Sequence, residues 1–218
     1  MGLDPSPPIA FPMNPKPLSI IRALKGALAV EKPSGLLSQP GRGPTLQDSV
    51  LTRIRAERGW AELVHRLDRD TSGILLVALD PETHRDLSGL FASRKVDKTY
   101  EALCEGHIRG QHGVLCLGLG KLDAQPPRYG EDPHGPMALT VWERRELSPG
   151  ASRLKLSAVT GRSHQLRASL ALIRHPLIGD PIYHRESSAP RLMLHATELS
   201  LSWPGTGEPV RLQSPCPF

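Results

Sequence analysis

The chain has 218 residues, 39% of them hydrophobic and only 4% aromatic, so a single aliphatic core of ordinary domain size is within reach. Lysine and arginine number 27 against 22 acidic residues, and the net charge of +5, carried mostly by arginine, suits a polyanionic partner. The longest apolar run falls far short of the ~18–20 residues that a bilayer span requires, and Cys104, Cys116 and Cys216 are too widely spaced for a disulfide framework or a zinc pattern.

Residues 1–27 read as a proline-rich extension with neither the basic nor the apolar region of a secretory signal, and residues 28–218 as the folded domain. A soluble, cytoplasmic protein with free thiols is expected. "ALAVEKPSG" (27–35) predicts a short strand that ends in a Pro-Ser-Gly turn. "TLQDSVLTRIRAE" (45–57) predicts a helix capped by Thr45 and Asp48, with Leu46, Val50, Leu51 and Ile54 on one face.

"GILLVAL" (73–79) is a continuous apolar run short enough for a buried strand. Asp80 then caps and Pro81 opens a helix whose apolar side is Leu87, Leu90 and Phe91. Strands are predicted at "KTYEALCEG", "MALTVWERREL" and "SRLKLSAV", the last with period two through Leu154, Leu156 and Ala158. "SHQLRASLALI" (163–173) changes to helical spacing through Leu166, Leu170 and Ile173, with Ser163 able to cap. "RLMLHATELSLSW" closes the series as an alternating strand. Strands outnumber helices and do not alternate strictly with them, which favours an α+β fold with a mixed sheet over a doubly wound one.

Three clusters carry candidate chemistry. In "HRLDRDTSG" (65–73), Asp70 to Gly73 have the composition of a strand-feeding turn. Asp68 differs, because a carboxylate between Arg66 and Arg69 is favoured in its ionised form and can serve as nucleophile or general base. In "GRSHQLR" (161–167), Arg162, His164 and Arg167 surround the start of a helix, and an inward-facing Arg167 could form a two-toothed salt bridge to a distant carboxylate. In "KVDKTY" (95–100), Tyr100 stands early in a strand behind Lys98.

Other patterns fail. "LGLGKL" has Leu115 and Leu122 where a phosphate-binding glycine loop needs Gly and Ser or Thr, and Leu67 interrupts the H-R-D of a kinase loop. No metal or nucleotide cofactor is expected.

Taken together and in this order, the clusters resemble the RluA family of pseudouridine synthases. The likeness runs from "VEKPSGLLSQPGR" through "VHRLDRDTSGILLVAL", "KTYEA", "GRSHQLR" and "HPLIGDPIY" to "RLMLHATELSLSWP", and is greatest to the small, dual-specificity branch without an S4 module. It implies that residues 28–218 form a catalytic domain with a mixed, mostly antiparallel sheet and with helices and loops flanking a central cleft. It also implies cofactor-free isomerisation of a uridine in an rRNA or tRNA stem-loop, by a monomer. By that resemblance Asp68 is the essential carboxylate, Tyr100 the active-site tyrosine and Arg167 its partner arginine. Arg66 is implied to enter the space left by the flipped nucleotide, and Lys98, Arg162 and His164 to contact substrate.

The residues suit these roles. A stacked base must be extruded before it can react, at a cost of roughly a few kcal/mol, and a planar guanidinium can fill the gap. Tyr100 offers an aromatic face and a phenol. The likeness has departures: Glu31 replaces an expected aspartate, Pro136 replaces an expected lysine, and residues 107–134 match loosely. Two rivals remain open. One is a non-catalytic RNA-binding protein or RNA chaperone on the same fold. The other is a glycoside hydrolase using Asp68 and Asp70.

Overall fold

A computed structural model describes residues 17–122 and 126–218. The first 16 residues of the expected proline-rich extension lie outside the described residues. The remainder of the expected extension is not all outside the fold: β1 (Ser19–Leu24) pairs antiparallel with β2 (Ala27–Lys32), so the sheet begins before residue 28. Ile20 and its neighbours on β1 are mostly exposed, and so the strand lacks the apolar pattern that would have marked it.

The next elements are α1 (Val50–Arg58), β3 (Glu62–Leu63), β4 (Ser72–Ala78) and α2 (Pro81–Ala92). They are followed by β5 (Asp97–Glu105), β6 (His112–Leu122), β7 (Arg128–Glu131), β8 (Met137–Ser148) and β9 (Ala151–Ala158). The chain ends with α3 (Gln165–Leu172), β10 (Leu194–Ser202) and β11 (Pro209–Gln213). The main path of the sheet is β1-β2-β4-β10-β5-β9-β8-β6-β7, with β11 on β10 and β3 on β4. Every pairing is antiparallel except the short parallel contact between β10 and β4. The fold is therefore α+β with an open, mixed and mostly antiparallel sheet, as expected.

The apolar run of β4 is explained by burial on both faces. Ile74 and Leu76 pack with Leu87 of α2 and with Ala27 and Ala29 of β2. Leu75 and Val77 pack on the other face with Val50, Leu51 and Ile54 of α1. Each such side chain contributes about 1.5–3 kcal/mol, so this strand anchors the fold. A second cluster joins Leu166 and Leu170 of α3 to Ala102, Leu154 and Leu156, and Tyr100 packs at the junction of the α1 and α3 clusters. Gly73 is where β4 touches β10: an added Cβ would lie 2.3 Å from the Ala196 carbonyl oxygen, and φ is 110°.

Two of the expected caps are corrected. Residues 44–46 form a separate 3-10 turn with Leu46 exposed, and Ser49, not Thr45, starts α1. The Ser49 hydroxyl accepts from the Thr52 N–H and the Thr52 hydroxyl from the Ser49 N–H, while Asp48 is taken up by Arg53. At α3 the cap position is His164 in a left-handed conformation with no side-chain cap, and the Gln165 side chain instead accepts from the Arg162 N–H. The Asp80 cap of α2 is as expected: its carboxylate accepts from the Thr83 N–H at 2.8 Å. No helix among the described residues is long and apolar enough to cross a membrane.

Candidate active site

Asp68 lies on the loop that enters β4, and that loop is held by the turn following β2. The Ser38 hydroxyl donates to the Leu67 carbonyl at 2.7 Å and accepts from the Leu67 N–H at 3.1 Å. Ser34 donates to the Asp70 carbonyl, and the Gly35 N–H to that of Arg69. Buried Lys32 donates to the carbonyls of Arg69, Leu36 and Pro33 at 2.7, 2.6 and 2.9 Å, one acceptor for each ammonium proton. Burial pulls Lys32 down to about 7, opposed by the charges of Asp70 and Asp68. The "KPSG" turn thus sets the backbone from which Asp68 projects.

On the opposite side α3 supplies Arg167, which is 2% exposed and makes three charge-assisted bonds. Its Nη1 donates to Asp68 Oδ2 at 3.0 Å. Its Nε and Nη2 donate to the two oxygens of Asp180 at 2.8 and 2.9 Å. The two-toothed bridge therefore goes to Asp180, and Asp68 receives the remaining tooth. Burial opposes the charge on Arg167, but the bonds and charges of Asp180 and Asp68 outweigh it and hold the guanidinium above its ordinary pKa. Asp180 is fully buried and also accepts from the N–H groups of Ile182 and Tyr183. Against the cost of its burial, these bonds and Arg167 keep its carboxyl below the usual range. Asp68 has a side chain 20% exposed, so of the two carboxylates it is the one that can meet a substrate.

A cleft of about 400 Å³ opens over Asp68, and all seven residues singled out from the sequence line it: Arg66, Asp68, Lys98, Tyr100, Arg162, His164 and Arg167. Lys98 and Tyr100 share a face of β5. Burial first, then the charge of Asp68, push the Tyr100 phenol well above its ordinary pKa, so it is neutral at physiological pH. His164 Nε2 stands 4.0 Å from Asp68 Oδ1, and its Nδ1 is 3.2 Å from the Tyr183 hydroxyl. Burial lowers the His164 pKa despite the nearby charge of Asp68. Arg66 and Arg162 are exposed at the rim, Arg162 with its Nε bonded to the Met137 carbonyl at 3.2 Å. Asp70 does not line the cleft and pairs instead with Arg69, so the two-carboxylate hydrolase lacks its second group.

Sequence reasoning missed three contributors. Asp180 lies in "HPLIGDPIY", and its signal is an Asp-Pro turn whose carboxylate caps the next N–H groups. Tyr183 donates no local signal; its hydroxyl accepts from the Tyr129 N–H at 2.9 Å, and burial pushes it up to about 12. His65 opens "HRLDRDTSG" with no role of its own legible in the sequence. Its Nε2 accepts from the Leu76 N–H at 3.0 Å, a ladder group left over where β4 and β10 diverge, and burial takes it down to about 3.

The comparisons with known proteins show the family. The family model described as RNA pseudouridylate synthase matches residues 27–172, which include Asp68, Tyr100 and Arg167 and stop short of Asp180. The chain is 38% identical over 212 residues to the dual-specificity RNA pseudouridine synthase RluA of Haemophilus influenzae, covering 95% of this chain and 96% of that one. It is also 38% identical over 196 residues to the protein of that name in Escherichia coli, with 88% and 90% covered. Among solved structures, human RNA pseudouridylate synthase domain containing 1 superimposes with a TM-score of 0.79 at 28% identity, over 94% of this chain and 87% of that one. The chain belongs to the RNA pseudouridylate synthase family, and its activity is that of an RNA pseudouridine synthase.

Proposed function

We propose that the protein, acting as a monomer, converts a uridine in a stem-loop of rRNA, tRNA or both to pseudouridine, with Asp68 as the essential carboxylate. The observation that carries this reading is the bond from Arg167 Nη1 to Asp68 in the cleft that Tyr100 also lines. The relatives named as dual-specificity enzymes, similar along most of their length, support the choice of RNA.

The target uridine leaves its stack and enters the cleft, while Arg66 at the rim fills the gap. The C1′–N1 bond breaks, the uracil turns, a C1′–C5 bond forms, and the proton lost from C5 is balanced by one gained at N1. Asp68 is the only carboxylate lining the cleft among the described residues, so it faces the sugar and base alone. Arg167 orients it and keeps one oxygen committed, which leaves the other free. Tyr100, as a neutral phenol, gives the uracil a ring face to turn against and a donor at its edge. His164, Lys98 and Arg162 contact the nucleotide from the walls.

Asp68→Ala tests the assignment. Pseudouridine formation on unmodified rRNA and tRNA transcripts should fall by at least about a thousandfold, while affinity for the same RNA stays near wild type. Equal product from the variant would remove Asp68 from the chemistry, and absence of product from the wild type would turn the reading toward RNA binding without catalysis.

A further inference from the structure

α2 ends in a backbone geometry that glycine usually supplies. The Lys95 N–H reaches back to the Leu90 carbonyl at 2.9 Å, and Arg94, between them, has a φ of 59°. α3 ends in the same way, with the His175 N–H on the Leu170 carbonyl at 2.9 Å and Arg174 at a φ of 63°. An L side chain is disfavoured in this conformation, so the backbone asks for an arginine at neither position. The two differ in where they stand: Arg94 lines the cleft and Arg174 does not.

Lys98 lines the same wall as Arg94, and the charge of Arg94 adds to burial in lowering the Lys98 pKa against the pull of Asp97. Among the described residues, neither Arg94 nor Lys98 has a side-chain hydrogen bond or an ion pair. Elsewhere Arg53, Arg153 and Arg211 each sit on a carboxylate. Asp68, the carboxylate of the cleft, is already engaged by Arg167. Asp97 offsets part of the charge at Lys98, but neither cation is bonded to a carboxylate, and an anion between them is attracted to both.

The wall is also braced. The Phe91 ring at the end of α2 stacks on His65 with centroids 4.5 Å apart and planes 14° from parallel. That stack ties the last turn of α2, just before Arg94, to the loop carrying Arg66 and Asp68.

We propose that Arg94 and Lys98 form a phosphate-binding corner of the cleft, which grips the RNA backbone beside the extruded uridine. The proposal deepens the functional reading above and rests on it for the identity of the polyanion. A phosphate held there sets how far the flipped nucleotide reaches toward Asp68, and affinity for the strand follows from the charge contact.

Arg94→Gly separates side chain from backbone, because glycine suits the left-handed position and the variant folds at least as well as wild type. The probe is an unmodified tRNA transcript, with binding followed between about 50 and 200 mM salt. Arg94→Gly should bind roughly five- to tenfold more weakly at low salt, and its log–log salt slope should be shallower by roughly 0.7–1. Its single-turnover rate at saturating RNA should fall as well, because the nucleotide is no longer held at a set depth over Asp68. Arg174→Gly, the same backbone change outside the cleft, should leave affinity, slope and rate unchanged. Wild-type affinity and slope in Arg94→Gly would overturn the proposal, as would an equal loss in Arg174→Gly, which would reduce the effect to general surface charge. Should the wild type modify no rRNA or tRNA transcript, the functional reading fails, and the binding comparison on the same transcripts still decides the corner.

Discussion

Arg167 has one positive charge and two carboxylates to satisfy. Asp180 takes two of its donors from a fully buried position, which fixes the plane of the guanidinium and leaves Nη1 aimed at Asp68. The Arg167–Asp180 pair is neutral as a unit, so Arg167 does not cancel Asp68, which suits the role proposed for that carboxylate. Asp180→Asn should lower the saturating rate about tenfold or more and cost about 3 kcal/mol of stability, the usual result of removing one partner from a buried pair. Urea unfolding and single-turnover kinetics measure the two effects separately, and a variant that keeps the wild-type rate would count against Asp180 as a positioning residue. Asp68 and Arg167 were legible because their motifs are long and specific. Asp180 was not, since a carboxylate in an Asp-Pro turn looks like turn chemistry until the fold places it behind α3.

At the scale of elements, the strands that read most clearly are those with the strongest burial. β4, β9 and α2 fall where their apolar spacing placed them, because both faces of β4 and one face each of β9 and α2 meet the core. β1 and β7 end the main path of the sheet and lack a repeating apolar face. β6 alternates through Leu115, Leu117 and Leu119 and β11 through Val210 and Leu212, but glycines interrupt the first signal and the second is only five residues long. The start of α1 misled for another reason. Thr45 and Asp48 have the right spacing for a cap, and only the competing bonds of Asp48 to Arg53 and of Ser49 to Thr52 decide the matter. Ser49→Ala should cost about 1 kcal/mol, seen as a fall of roughly 2–4 °C in the thermal midpoint. The saturating rate should be unchanged, because Asp68 is held by the turn after β2 and not by this cap.

For the whole molecule, two histidines make stability depend on pH. His195 is buried with its ring nitrogens facing Ser72 and Ser214, and burial takes it down to about 4. His65, stacked on Phe91 and bonded to the β4 backbone, is down to about 3. Unfolded histidines protonate near about 6.5, so between that value and the folded pKa values the unfolded chain binds more protons. The stability these rings contribute is complete above about pH 6.5 and is lost as pH falls toward about 4 and below. A thermal midpoint followed downward from about pH 6.5 to 4.5 should decline, and His195→Gln should flatten that decline. Asp180 and Asp48, whose pKa values are depressed, lose their contributions only at lower pH. A midpoint independent of pH over this range would contradict the assignment of buried neutral rings.

The sequence by itself determined the fold class, the order of the main strands and helices, and the identities of Asp68, Tyr100 and Arg167 as the residues to watch. The fold class and the elements follow from local pattern, apolar spacing and turn chemistry, and the three residues from the resemblance their motifs carry. Only the tertiary structure decided that Asp180 takes the two-toothed bridge, that Lys32 and Ser38 hold the loop of Asp68, and that Arg94 shares a wall with Lys98. Those relations join residues that are far apart in sequence or on different elements. Hydrogen bonds and charge pairing act through a few ångströms of space, and distance along the chain does not reveal which groups the fold will bring that close.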